Sequence, residues 1–156
     1  HGRMGDLTDS AYAMATLFAL DRHFAIDDLN APGVVLLDRY VASNAAYTAA
    51  RLLDDDAPRW VADLEFGRLG LPRPTLQVLL DTPAEVAQDR ARRREALDSA
   101  RARDRYESDS ALQQRTAEHY RRLAADNWES PWIVVAPDED PGHVAQRIVE
   151  FLGTIN

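Results

Sequence analysis

The 156-residue chain has the length of one domain, and at 46% apolar residues it can bury a core. It contains no Cys, which excludes disulfides and thiolate metal sites and permits a reducing, cytoplasmic home. A net charge of −8 argues against generic nucleic-acid binding, and no run approaches the roughly 18 apolar residues of a membrane span.

From Thr8 to about Asn30, apolar residues recur at helical spacing (Tyr12, Leu17, Phe18, Leu20, Phe24), and Thr8 or Asp9 can cap the helix. Pro32-Gly33 breaks it. The continuous apolar run Val34–Leu37 then reads as a short strand buried on both faces. A second helix runs to about Leu53. Asp54–Pro58 form a solvated turn, and Pro58 opens a third helix that ends near Gly70. Leu71–Pro74 block any helix, and Thr75–Asp81 read as a second strand. The next helix opens with Thr82 as N-cap, Pro83 at N1 and Glu85 at N3. A long Arg-rich, then amphipathic, helical region continues to about Asn127. Trp132–Val135 form a third strand, and the remaining residues end in a helix. Strands separated by helices predict parallel βαβ units, hence one α/β domain over residues 1–156.

Ligands of open parallel sheets bind beyond the carboxyl ends of the strands. Asp38 and Arg39 fall at such an edge. Arg grips phosphate with a planar fork, and an adjacent carboxylate can orient it or help hold Mg²⁺. In the following helix Tyr40, Asn44 and Tyr47 share a face, and Arg39, Ser43 and Tyr47 share an overlapping one. An amide can read a base edge and a Tyr can pack against a sugar. An ordinary turn with polar residues facing water explains the same pattern. Upstream, Phe18 and Arg22 at i and i+4 could stack on a base and donate to its carbonyl, or be a core residue and a surface charge.

Asp89–Glu107 holds seven Arg against five acids, a net of +2 that leaves −10 for the rest of the −8 chain. Such a cluster suits an anion such as a nucleotide phosphate, although a salt-bridged, solvated helix accounts for it equally. His1, His23, His119 and His143 are scattered without metal-ligand spacing, and neither G-x-S-x-G nor H-E-x-x-H occurs. All 18 basic residues are Arg, so no Lys is present for phosphate-loop or Schiff-base chemistry.

The strings SAYAMATLFALDR (Ser10–Arg22), LDRYVASNAAY (Leu37–Tyr47), FGRLGLP (Phe66–Pro72) and RARDRYESDSALQQRT (Arg101–Thr116) occur in this order over nearly the whole chain. Together they resemble thymidylate kinase, most nearly the actinobacterial type: P-loop enzymes that phosphorylate dTMP. The resemblance implies a nucleoside monophosphate kinase fold, a P-loop NTPase-type parallel sheet flanked by helices. It implies ATP and dTMP as substrates, Mg²⁺, a homodimer and a cytoplasmic location, with no membrane or nucleic-acid partner. By the same resemblance Asp38 and Arg39 meet the acceptor phosphate, Phe18 and Arg22 hold the thymine, Asn44 reads its edge, and Tyr47 lies beneath the deoxyribose. A lid at about 90–102 would carry Arg94, which stabilises the transferring phosphoryl group, with Arg90 and Arg101 as further phosphate ligands. Asp104, Tyr106 and Glu107 match acceptor-side residues, the two acids near Mg²⁺.

Two departures accompany the likeness. The family opens with a strand, a glycine-rich phosphate loop with its Lys, and a helix, none of which is found here. The expectation is a parent protein that carries them before His1, and 156 residues that are inactive by themselves. The stretch from Arg22 to the first expected strand is also a few residues short of the family pattern. A kinase for another deoxynucleotide or nucleoside, and a non-catalytic nucleotide-binding module, are the rival readings.

Overall fold

The computed structural model describes residues 9–82, 86 and 110–154. Helix α1 spans Ala11–Phe24 and is capped by Ser10, whose Oγ accepts from the Ala13 N–H at 3.2 Å. The cap is thus Ser10 rather than the expected Thr8 or Asp9: its short side-chain oxygen meets the third helical N–H. The expected single helix to Asn30 is also two helices. The backbone steps out of helical geometry at Ala25, and a one-turn α2 follows at Ile26–Leu29.

Helix α3 (Val41–Leu52) is the centre of the molecule, with Ala42, Ala45, Ala46, Ala49 and Ala50 all buried. Such small side chains let α1 and two later helices, α4 (Ala57–Ala62) and α5 (Ser110–Ala125), pack closely around it. Helix α4 (Ala57–Ala62), with Pro58 in its first turn, passes directly into a π-helical segment at Asp63–Arg68. The segment closes with Leu69 N–H donating to the Leu64 carbonyl and Leu71 N–H to the Glu65 carbonyl. Gly70 takes the left-handed conformation (φ 68°) that this closure needs.

Strand β1 (Gln77–Leu80) pairs in parallel with β2 (Trp132–Val135), Gln77 opposite Trp132 and Leu80 opposite Val135. Helix α5 (Ser110–Ala125) lies between them in sequence and packs on both, the expected crossover. Helix α6 (Pro141–Thr154) closes the described chain. The core joins Val41, Ala45, Val61, Phe66, Leu71 and Leu123.

One expected strand is not formed. Val34–Leu37 is neither a strand nor buried: Val34 is 81% and Leu36 92% exposed. An apolar run becomes a buried strand only where a neighbour satisfies its N–H and C=O groups. Among the described residues the sheet has two strands, β1 and β2, and neither pairs with this run. The helix expected from Thr82 and the Arg-rich region up to residue 109 lie, but for Val86, outside the described residues.

Candidate functional site

Two groups of side chains meet around α3. The first joins α1, α3 and the π segment. Phe18 is 51% exposed, so it is not a core residue and its ring is open to a ligand. One turn later, Arg22 is not a free surface charge. Its Nε donates to Glu65 Oε2 and its Nη2 to Glu65 Oε1, both at 2.6 Å. This is the planar, two-pronged pairing in which Arg outperforms Lys. The Arg22 side chain is 19% exposed, and that of Glu65 is fully buried.

Asn44 joins the same carboxylate. Its Nδ2 donates to Glu65 Oε1 at 2.7 Å and to the Ala15 carbonyl at 2.9 Å. The Thr48 hydroxyl stands 3.5 Å from Asn44 Oδ1, at the limit of a hydrogen bond. Asn44 is therefore buried between helices, whereas Tyr47, three residues on along α3, is half-buried. Tyr40, the residue preceding α3, donates its hydroxyl to the Pro72 carbonyl at 2.9 Å and so ties the helix to the end of the π segment. Burial, reinforced by the charge of Glu65 and opposed by Arg22, pushes the Tyr40 phenol up to about 12. It is a hydrogen-bond donor at neutral pH.

The second group stands at the Asp38-Arg39 turn. Asp38 is exposed. Arg39 has φ 71°, in the left-handed region, a conformation that costs a bulky residue about 1–2 kcal/mol. Strain of this kind collects at functional positions. The Arg39 guanidinium lies over the Tyr47 ring, 5.8 Å from its centroid, a cation–π contact. Beside them the Tyr120 hydroxyl of α5 donates to Ser43 Oγ at 2.6 Å. The face shared by Arg39, Ser43 and Tyr47 is thus assembled as the spacing predicts. Burial holds the Tyr120 phenol above its ordinary pKa, with the Ser43 bond and Arg39 pulling the other way.

Arg90, Arg94, Arg101, Asp104, Tyr106 and Glu107, and with them the expected lid, lie outside the described residues. Of the four His, His23 meets the Leu69 carbonyl through Nδ1 at 3.1 Å, and His143 lies 3.2 Å from Glu139. His119 lines a cavity of about 320 Å³ with Asp55, Arg59 and Arg122, which contains none of the residues expected at the site.

Glu65 and Tyr120 escaped the sequence reading. Glu65 sits in an ordinary-looking D-L-E-F-G-R string beside Asp63 and Arg68, which pair with each other on the surface at 2.8 Å. Its position directly before the FGRLGLP string was the one available hint.

The chemistry of the two groups is complementary. One offers an open aromatic face beside fixed hydrogen-bonding groups, suited to a planar base. The other offers a guanidinium and a carboxylate, suited to a phosphate. Mg²⁺ takes few protein carboxylates and completes its shell with water and substrate phosphates, so the exposed Asp38 fits such an ion.

The thymidylate kinase family model matches residues 4–148. The chain is 54% identical over 155 residues to the thymidylate kinase of Mycobacterium tuberculosis strain H37Rv, an alignment that covers 95% of this chain and 72% of that protein. It is 34% identical over 148 residues to the thymidylate kinase of Afipia carboxidovorans (91% of this chain, 62% of that one). Identity to the probable thymidylate kinase of Thermococcus kodakarensis is 34% over 148 residues (92% and 65%). A match over most of the chain, with more than half of its residues shared with one such kinase, means that this chain belongs to the thymidylate kinase family.

Proposed function

We propose that this protein transfers the γ-phosphoryl group of ATP to dTMP, giving dTDP and ADP, and that the two groups around α3 bind the acceptor nucleotide. The observation that carries this reading is the pairing of an open Phe18 ring with an Arg22 held rigidly one turn away. Phe18 would stack on the thymine and Arg22 would donate to its carbonyl. Asn44 would meet the base edge, and Tyr47 would lie under the sugar.

Phosphoryl transfer needs little covalent help from a protein; it needs position and charge neutralisation. Arg39 would hold the acceptor phosphate, its guanidinium kept in place by the Tyr47 ring and by the strained turn. Asp38 beside it would orient that phosphate's partners. Mg²⁺, when bound, would neutralise phosphate charge, with Asp38, Asp104 and Glu107 as candidate ligands. Arg94 would meet the charge on the transferred group, flanked by Arg90 and Arg101 in a lid at about 90–102, and Tyr106 would stand on the acceptor side. The resemblance read in the sequence supports these roles.

Two wider features belong to the same proposal. The exposed Leu17, Leu20 and Phe24 on α1 support a homodimer through that helix. The family resemblance supports a cytoplasmic location, which a sequence without Cys permits. Among the described residues no helix is long and apolar enough to cross a membrane.

The test is a coupled assay of the full-length protein with ATP, Mg²⁺ and each deoxynucleoside monophosphate in turn. The expected outcome is ADP release with dTMP well above all others. Phosphorylation of another acceptor in preference to dTMP would overturn the reading.

A further inference from the structure

We infer that Glu65 is a positioning residue that decides which base edge the pocket accepts, by fixing the orientation of both Arg22 and Asn44. The inference rests on the base-binding roles proposed above for those two residues. Glu65 has no solvent contact, and its carboxylate accepts from Arg22 Nε, Arg22 Nη2 and Asn44 Nδ2. A buried ion pair is weak evidence for stability, because well-packed apolar residues commonly serve as well. What this one adds is direction.

An Asn amide has two donor hydrogens on one end and an acceptor on the other. Both Nδ2 hydrogens of Asn44 are engaged, by Glu65 Oε1 and the Ala15 carbonyl. Flipping the amide would set Oδ1 against two acceptors and lose both of these hydrogen bonds. Glu65 therefore keeps Oδ1 as the acceptor available to a ligand. Thr48 is only 3.5 Å away and leaves a lone pair of Oδ1 open. In the same way Glu65 engages Nε and one Nη2 hydrogen of Arg22. Among the described residues, Nη1 has no partner and can only donate.

So fixed, Asn44 Oδ1 and Arg22 Nη1 would present one acceptor and one donor to a base stacked on Phe18. A base edge with an N–H next to a carbonyl satisfies both, as in thymine. An edge with a bare ring nitrogen next to an amino group, as in cytosine, meets acceptor with acceptor and donor with donor. A mismatched buried pair is what makes discrimination by hydrogen bonds steep.

The test compares Glu65→Gln and Glu65→Asp in the full-length protein, with dTMP and dCMP as acceptors. Gln conserves size but places a donor where Asn44 and Arg22 need an acceptor, so the Asn44 amide keeps only the Ala15 carbonyl to hold its orientation. The dTMP:dCMP ratio of kcat/KM is expected to fall at least tenfold, with KM for ATP unchanged. Asp shortens the side chain but keeps the carboxylate. It is expected to raise KM for dTMP while kcat and the ratio stay near wild type. Should Glu65→Gln fail to fold, the Asp variant decides alone: a raised KM for dTMP at unchanged KM for ATP supports the positioning role, and an unchanged KM for dTMP overturns it. A parallel loss on both nucleotides in Glu65→Gln, at unchanged ratio, also overturns it and reduces Glu65 to a packing residue. Failure of the wild-type enzyme to prefer dTMP would instead strike the base-binding reading itself.

Discussion

The base end and the phosphate end of the site are built by opposite means. At the base end, three elements distant in sequence are tied through one buried carboxylate, and its hydrogen bonds to Arg22 and Asn44 run from 2.6 to 2.7 Å. At the phosphate end, Asp38 and Arg39 stand on an exposed turn, with Arg39 in a strained backbone conformation and its guanidinium over the Tyr47 ring. The contrast follows from what each end would recognise. A neutral base is distinguished by where donors and acceptors lie, so those groups must not move. A phosphate carries charge that attracts from any side, so its partner can adjust.

The sharpest break in this comparison is the loss of Glu65 altogether. Glu65→Ala leaves the largely buried Arg22 charge without its acceptor and the buried Asn44 amide with the Ala15 carbonyl alone. Breaking a buried pair from one side costs about 3–5 kcal/mol. Urea unfolding is expected to show that loss, whereas Asp38→Ala, on the exposed turn, is expected to leave the midpoint nearly unchanged. Equal losses would erase the distinction between the two ends.

Next in size is Arg94, proposed to act on the phosphoryl group from outside the acceptor site. Arg94→Ala is expected to lower kcat by about 10²-fold or more, the scale of a lost preorganised donor. Affinity for dTMP, measured by calorimetry, is expected to stay close to wild type. Unchanged kcat would return the Arg cluster to a solvated, salt-bridged helix.

Tyr47 joins the ends, since it would carry the sugar and it underlies Arg39. A ribonucleotide would have to displace the ring or bury an unpaired 2′-hydroxyl, at about 1–3 kcal/mol, or about 5- to 150-fold. Tyr47→Ala is expected to bring the kcat/KM values of dTMP and its ribo analogue towards parity, while Tyr47→Phe keeps them apart. A ratio that does not move in Tyr47→Ala would place sugar selection elsewhere.

The smallest effect probes the strained turn. Arg39→Gly removes a left-handed penalty of about 1 kcal/mol, and with it the guanidinium. Thermal stability is expected to rise slightly while KM for dTMP rises steeply. Lower stability in this variant would mean that the stacking of Arg39 on Tyr47 outweighs the strain.

Much of the architecture was legible because local chemistry decides it. Helix α1 is written in its apolar spacing, Pro58 marks the start of α4, and β1 and β2 are short apolar or β-branched runs between turn residues, with α5 between them. Asp38 and Arg39 could be placed at the turn that leads into α3, and Tyr47 on that helix, because the placement needs only neighbours in sequence. The tertiary structure alone decided three other things. Val34–Leu37 has the composition of a strand, but a strand exists only with a partner, and its own residues cannot supply one. Asn44 carries an amide on the helix face it shares with Tyr47, but which groups that amide meets, Ala15 and Glu65, is set by packing of α1 and the π segment against α3. Asp63 and Glu65 look alike in the chain; one is a surface acid paired with Arg68, and the other is the buried centre of the base end. No spacing rule separates them, because what distinguishes Glu65 is the convergence of residues 22 and 44 on it, and that exists only once the chain has folded.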